Sequence, residues 1–419
     1  MRVVDHLAAM KGRFDPEAAK RCAALLERAR HARIRQPSEL IRFHEIVLYL
    51  RAYPQSREVL DLADEILFSF SERLRGVDHD PFEDPEISGI AGTGLSTNFS
   101  YDVARSLVQR HARRIKIDWE NYDRSDRLGP TLARLIPSAG EDAAVEPHVD
   151  WRAWFERAHG SIAWLLDHVE PEIYDLLEIP LRWELGDSPA SRSRTRIPRR
   201  AIYYHHGPFL KRSGVSLEAE FRAPKIVVRK HSPKILDVIL DTSAVRYREL
   251  WGFTHPDRAH VYHAYLGRGV DFFYFGVAPR WKLPVRGYHG GMFFKNGVPI
   301  GYVEALSQAE KMEVGFNLYY TFREGETAWL YAQILKIFRE RAGSRCFSID
   351  PYQLGHENEE AVDSGAFWFY RKLGFQTSSK ELKPVIDREE SRIRSNPAYR
   401  TPKSTLRKLA GSPMRYLCK

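Results

Sequence analysis

Cysteine is scarce: Cys22, Cys346 and Cys418 are the only three in 419 residues, widely separated and odd in number. Without a CxxC pair there is neither a disulfide framework nor a zinc module to read. Long apolar runs are also missing; nothing approaches the roughly 18 residues that crossing a bilayer needs. The opening stretch MRVVDHLAAMKGRF lacks the basic segment and apolar core of a secretory leader. These absences lead us to expect a reduced, cytoplasmic chain with no membrane span. No GxSxG occurs, which excludes the α/β-hydrolase elbow. No internal repeat is found.

What is present is globular in character. Hydrophobic residues at 43% and charged residues at 28% leave no room for general disorder. Sixty-four Lys and Arg against 55 Asp and Glu give a net charge of +9, compatible with a phosphate-rich ligand but equally with an ordinary soluble surface.

The first 190 residues read as mostly helical. Cys22, Leu25, Leu26 and Ala29 recur at helical spacing, as do Leu40, His44, Val47 and Leu48, and then Val59, Ala63, Ile66, Leu67, Phe70 and Leu74. Pro37 suits the first turn of the second of these helices. Three consecutive amphipathic helices imply a bundle. PSAGEDAAVEPHV reads as a surface connection. GDSPASRSRTRIPRR, with two prolines and no apolar period, reads as a solvated linker or mobile loop. Beyond residue 200 the period shortens. VSLEAEFRAPKIVVRKH is rich in strand formers, and VDFFYFGVA is a strand. Asn296-Gly297 between two apolar runs signals a tight hairpin. Val314, Phe316, Leu318 and Tyr320 share one strand face. A helix over TAWLYAQILKIFRER, a short strand RCFSI and a helix ending at Gly374 follow, and Phe375 starts another strand. The expectation is an α+β chain: a helical region, then a mixed β-sheet domain flanked by helices over 200–385, then a basic tail over 386–419.

The closing motif FWFYRKLGF, with Phe369, Tyr370, Arg371, Lys372, Gly374 and Phe375, resembles the GNAT acyltransferase superfamily over roughly residues 270 to 378. The resemblance implies a GNAT-like N-acyltransferase that moves an acyl group from coenzyme A to a small-molecule or peptide amine. Tyr370 would protonate the departing thiolate, as a phenol with pKa near 10 can at neutral pH. Backbone groups from Phe316 to Tyr319, Leu318 among them, would be exposed by a β-bulge that splays two strands. The family's pyrophosphate loop aligns with REGETA, where Arg323 and Ala328 fit the ends and Thr327 fills a variable position. Here Glu326 stands at the central glycine position and Gly325 lies one residue early, so the carboxylates of Glu324 and Glu326 would stand, and repel, where phosphates should bind. The resemblance also implies that Asn358 contacts the carrier arm, and that Glu313 or Glu304 deprotonates the amine. Glu313 is the better placed on its strand. Each of these residues also has a plain packing or solvated reading. Two other functions stay open: the same transfer from an acyl carrier protein or an aminoacyl-tRNA reached through the basic tail, and a catalytically silent GNAT-fold binding module.

Three further patterns carry less. GIAGTG lacks the preceding strand of a dinucleotide site and reads as a flexible loop. His255, His260 and His263, the last two on one side of a helix, together with His205 and His206, lack completing ligands, so no metal is expected. Nine Lys or Arg between Arg388 and Lys419 make a polybasic terminus that can touch phosphates or simply lie over the domain.

Overall fold

The computed structural model describes residues 3–145, 149–158, 160–246 and 249–418. It is a mixed α and β structure that divides into two compact units. The first comprises residues 1–11, 16–196 and 234–255, and the second residues 12–15, 197–233 and 256–419.

In the first unit the three amphipathic stretches form the helices Pro16–Arg30, Pro37–Ala52 and Arg57–Phe68. Pro37 occupies the first turn of its helix, and Ser56 caps the third by accepting the Val59 N–H at 3.2 Å. A small antiparallel sheet follows, in the order β1 (Gly94–Asn98), β3 (Pro180–Glu184), β2 (Ile115–Ile117). Trp183 of β3 is fully buried against the helix Tyr101–His111 and its neighbours. PSAGEDAAV, expected as part of a connection, is the helix Pro137–Val145, and the rest of that stretch runs into residues 146–148, outside the described residues.

The arginine- and serine-rich segment corrects the sequence reading. Ser188, Ser191, Arg192, Ser193 and Thr195 are buried, not solvated. Arg192 donates through Nη2 to both carboxylate oxygens of Glu45 at 2.9 Å, and through Nη1 to the Glu86 and Ile87 carbonyls. Glu45 also receives His44 Nδ1 at 2.9 Å, while His44 Nε2 meets Ser193 Oγ at 2.9 Å. The Ala91 N–H donates to the same Ser193 oxygen at 3.0 Å. Apolar periodicity cannot reveal a segment that is buried because its polar groups are satisfied. The GIAGTG stretch belongs to this packing: Ile90 and Ala91 are buried, and a Cβ at Gly89 would lie 2.7 Å from the Val245 carbonyl oxygen.

Among the described residues of the second unit, nine strands form one sheet, ordered β11-β12-β10-β9-β8-β7-β6-β5-β4. The strands are β4 (Val228–Lys230), β5 (Pro256–Gly267), β6 (Val270–Val277), β7 (Gly287–Lys295), β8 (Val298–Gln308), β9 (Lys311–Leu318), β10 (Cys346–Ile349), β11 (Gln376–Thr377) and β12 (Met414–Leu417). All neighbours are antiparallel except β9 and β10. The β7–β8 turn is the expected Asn296-Gly297 pair, with φ of +48° and +85°. Only residues that tolerate the left-handed region close a two-residue hairpin this way. LEAEFR, expected in a strand, is the helix Leu217–Arg222, capped by Ser216. His260 and His263 lie on β5 rather than on a helix, so they are not neighbours one turn apart. The buried helix Thr327–Ala342, called the long helix below, joins β9 to β10. The segment read as a basic tail contributes most of the helix Lys383–Ser395, the helix Lys403–Leu409 and β12, which pairs with both β10 and β11.

Replacing Arg192 with Ala would leave the Glu45 carboxylate buried without its bidentate partner, a change that typically costs about 3–5 kcal/mol. Urea unfolding of the variant is expected to show that loss. A midpoint within experimental error of wild type would show the pair contributes nothing.

Candidate functional site

β9 has two unequal edges. Toward β8 it is paired along its whole length, from Gly301 opposite Leu318 to Gln308 opposite Lys311, with no register shift. Toward β10 the parallel pairing covers only Lys311, Met312 and Glu313, opposite Cys346, Phe347 and Ser348. The expected bulge in β9 is therefore absent. The strands part because β10 ends at Ile349 and Asp350 turns the chain into the short helix Pro351–Leu354, accepting the Tyr352 N–H at 2.8 Å. From Val314 to Leu318, β9 consequently has no strand partner on this side, and this unpaired edge is called the notch below. Gln353, carried by that short helix, accepts the Phe316 N–H at 3.3 Å through its side-chain carbonyl.

On the sheet face opposite the long helix, Gly290 of β7, Glu304 of β8 and Gly315 of β9 form a row that ends at the notch. Neither neighbour puts a side chain beside Glu304, and the space over Gly290 is taken by Tyr288 and Phe275. Tyr288 leans over Gly290 and donates its hydroxyl to Glu304 Oε1 at 2.6 Å. Burial raises the Glu304 pKa above the ordinary carboxylate value, and the Tyr288 hydrogen bond only partly opposes it. Glu313 shares this face, half-buried, one pair along and opposite Leu306.

Tyr370 lies on the helix Ala366–Lys372, which ends at Gly374 with φ of +102°. Its ring makes edge contacts with Tyr331 of the long helix and with Phe375, and Tyr331 also packs on Phe316 at the notch. Burial alone raises the Tyr370 pKa, so its phenol stays protonated through the neutral range.

The loop before the long helix departs from the sequence reading. Glu326 turns into the protein, where Arg268 grips it with Nε to Oε2 at 2.7 Å and Nη2 to Oε1 at 2.5 Å, and the Leu210 N–H donates at 3.0 Å. No carboxylate from residue 326 therefore stands before the helix, contrary to the repulsion its position suggests. Arg323 donates to the Leu318 carbonyl at 3.2 Å and pairs with Glu360. The Gly325 N–H goes to the Phe322 carbonyl, and Thr327 Oγ1 to that of Arg323. Ala328 is buried in the first helical turn. The N–H groups of Thr327, Ala328 and Trp329 in the first turn have no intrahelical acceptor. Asn358 is occupied differently from its expected role: it caps the helix Glu359–Ser364 by accepting the Ala361 N–H at 3.1 Å.

Behind Arg268 lies a buried lysine that sequence reasoning missed. Lys295, fully buried in the residue before the hairpin turn, meets His205 Nε2 at 2.9 Å, donates to the Arg268 carbonyl at 2.5 Å and sits 4.9 Å from the Tyr203 ring centre. Burial lowers its pKa to about 7, although Glu326 pulls the other way. Burial and the neighbouring cations Lys295 and Arg268 depress His205 to about 2, so its ring is neutral and accepts from Lys295. The only sequence signal was a lysine beside the Asn-Gly turn, which reads as surface.

Two arrangements in the first unit also resemble sites. Ser193, His44 and Glu45 stand in the order of a hydrolase triad, but they are 1%, 0% and 7% exposed, and Arg192 neutralises the carboxylate. Burial lowers the His44 pKa, so the neutral ring donates to Glu45 and accepts from Ser193. This is a closed structural network with no room for a substrate. A cleft of about 800 Å³ beside β2 and β3 is lined in part by side chains already engaged: Arg182 pairs with Glu83 and Glu184, and Asp118 accepts from Ser96 and Asn121. Among the described residues no group of three His, Cys, Asp or Glu is placed to hold a metal, and no helix is long and apolar enough to cross a membrane.

An unfolded lysine keeps its proton to about pH 10.4, whereas Lys295 in the folded state releases it near 7. Between those values the unfolded state binds more protons, so stability should rise with pH. Urea midpoints measured at neutral and alkaline pH are expected to show this rise in wild type and a flatter profile in Lys295→Met. Equal slopes in the two proteins would assign the titration elsewhere.

Comparison with protein-family models, with curated proteins and with solved structures returned no match for this chain.

Proposed function

We propose that the second unit is a GNAT-like N-acyltransferase, moving an acyl group from a thioester, coenzyme A by resemblance, to an amine. The observation that carries this reading is the parallel β9–β10 pairing that stops after three residues, leaving Val314–Leu318 without a strand partner on that side. An extended pantetheine arm, itself carrying amide groups, can pair with such an edge as a missing strand would. The order of elements supports the reading: hairpin β7–β8, β9, the long helix, β10, the Tyr370 helix and β11. The inward turn of Glu326 supports it too, since the helix start keeps its N–H groups for a pyrophosphate.

In this mechanism Glu304 takes a proton from the acceptor amine, and the nitrogen attacks the thioester carbonyl. The C–N bond forms and the carbonyl electrons move to oxygen, where N–H groups of the β9 edge stabilise the charge. The C–S bond then breaks, and Tyr370 supplies the hydrogen bond and proton that the departing sulfur needs. We favour Glu304 over Glu313 as base, because burial has already raised its pKa and glycines flank it. Coenzyme A is favoured over tRNA as donor, since Arg388, Arg392, Lys403 and Arg407 of the basic terminus pair with protein carboxylates.

Titration with acetyl-coenzyme A tests the donor, and a screen of amines tests the transfer. Saturable binding with no turnover for any amine would favour the silent binding module, and absence of binding would remove coenzyme A. Given turnover, Glu304→Gln and Tyr370→Phe are each expected to lower kcat about 10²–10⁴-fold with folding retained. The wild-type rate should fall as pH drops through the raised Glu304 pKa, and that limb should vanish in Glu304→Gln. Unchanged kcat in either variant would remove that residue from the chemistry.

Gln353 occupies the Phe316 N–H that a pantetheine amide would need. Gln353→Ala should therefore tighten acetyl-coenzyme A binding, by about two- to tenfold if one hydrogen bond of 0.5–1.5 kcal/mol is released. Weaker binding would mean that Gln353 contacts the donor directly.

A further inference from the structure

A second cleft, of about 350 Å³, opens in the same unit where β6 ends and β7 begins. Its walls are aromatic. Tyr262 and Tyr274 stack across β5 and β6 at 5.2 Å with an interplanar angle of 24°, and Phe338 of the long helix adds a third ring.

Around these rings stand three cations, Lys282, Arg286 and Arg341; Lys282 is near enough to Asp257 to help hold that carboxyl's pKa down, and among the described residues no carboxylate forms a close ion pair with Arg286 or Arg341. Arg341 donates through Nε to the Tyr274 hydroxyl at 3.2 Å and lies over the Tyr262 ring at 5.4 Å. That leaves the two terminal nitrogens of its guanidinium for another acceptor. The one acidic lining residue, Asp257, is held by His260 Nδ1 at 2.8 Å and by the Ala259 N–H at 3.0 Å. Other basic side chains of this unit, such as Arg268, Arg323, Arg371 and Arg407, are paired with carboxylates. A ring-lined cleft that concentrates unspent positive charge attracts a flat molecule bearing an anion: the rings cover its apolar faces and the cations neutralise its charge.

We infer that this cleft is a binding site for a small aromatic anion, a ring carrying a phosphate or carboxylate group, separate from the β9 notch. The cleft lies at the end of β6 and the start of β7, whereas the notch lies at the end of β9, so the two sites do not share a strand terminus. The inference does not depend on the proposed transferase activity.

The test uses the full chain and phenyl phosphate as probe, with inorganic phosphate and phenol as controls, read by calorimetry. Phenyl phosphate should bind saturably in the sub-millimolar range, and each control at least about tenfold more weakly, a difference of about 1.4 kcal/mol. The double variant Lys282→Glu with Arg286→Glu, both at exposed positions, should weaken phenyl phosphate binding by at least that factor with an unchanged thermal melt. If charge reversal prevents folding, Lys282→Gln with Arg286→Gln is expected to weaken binding in the same direction. No saturable binding, binding unaffected by these substitutions, or inorganic phosphate binding as tightly as phenyl phosphate would each overturn the inference.

Discussion

A strand paired along one edge and only partly along the other must send its remaining backbone groups somewhere. β9 is that strand, and the second unit is arranged around the problem. Its β8 edge is complete, and its β10 edge is complete for three residues. Beyond them a buried N–H without a partner would cost about 1–3 kcal/mol. Gln353 meets this demand at Phe316 by lending a side-chain carbonyl where a strand would have lent a backbone one. The solution is local and exchangeable, since a side chain can leave an N–H that a backbone strand could not. The parting of two strands thus leaves an edge that, in the proposed reading, an amide-bearing chain would join.

The features around that notch are held by polar contacts of unusual burial. Arg268 draws Glu326 inward, which fixes the start of the long helix and removes a carboxylate from its mouth. Lys295 donates to the carbonyl of the same Arg268, so the β7–β8 hairpin and the loop before the helix are tied through one residue. Taken singly, each buried charge is a liability, because desolvation offsets much of the attraction. Taken together they define one geometry, since moving any member strands another.

Much of this frame was legible in the sequence and much of the site was not, for separable reasons. The Asn296-Gly297 hairpin, the long helix and the Gly374 stop rest on backbone preferences that only a few residue types satisfy, so the letters announce them. The amphipathic helices of the first unit rest on period, which is equally open to inspection. Glu326 was misjudged because its partner Arg268 is 58 residues away, and nothing in either local stretch points to the other. The serine- and arginine-rich segment was misjudged for a related reason: composition reports polarity, and polarity implies solvent only when partners are absent. The His260 and His263 pair failed on the period itself, because alternating polar residues in a strand can be read as one helical face.

Glu304 shows where sequence and structure divide most instructively. By strand position alone Glu313 was the better candidate for a base, since both carboxylates looked equally polar. What separates them is the surroundings: Glu304 has a tyrosine hydroxyl on one oxygen and a glycine on either side, and burial already disfavours its charge. A carboxylate whose proton affinity is raised by its surroundings accepts a proton from an amine more readily than a solvated one. Gly290 and Gly315 contribute by lacking side chains, which is the least conspicuous role a residue can have in a sequence. Gly315 serves twice in the proposed reading. It puts no side chain beside Glu304, and it lies on the part of β9 that has lost its second partner, so the base and the donor would be one strand apart.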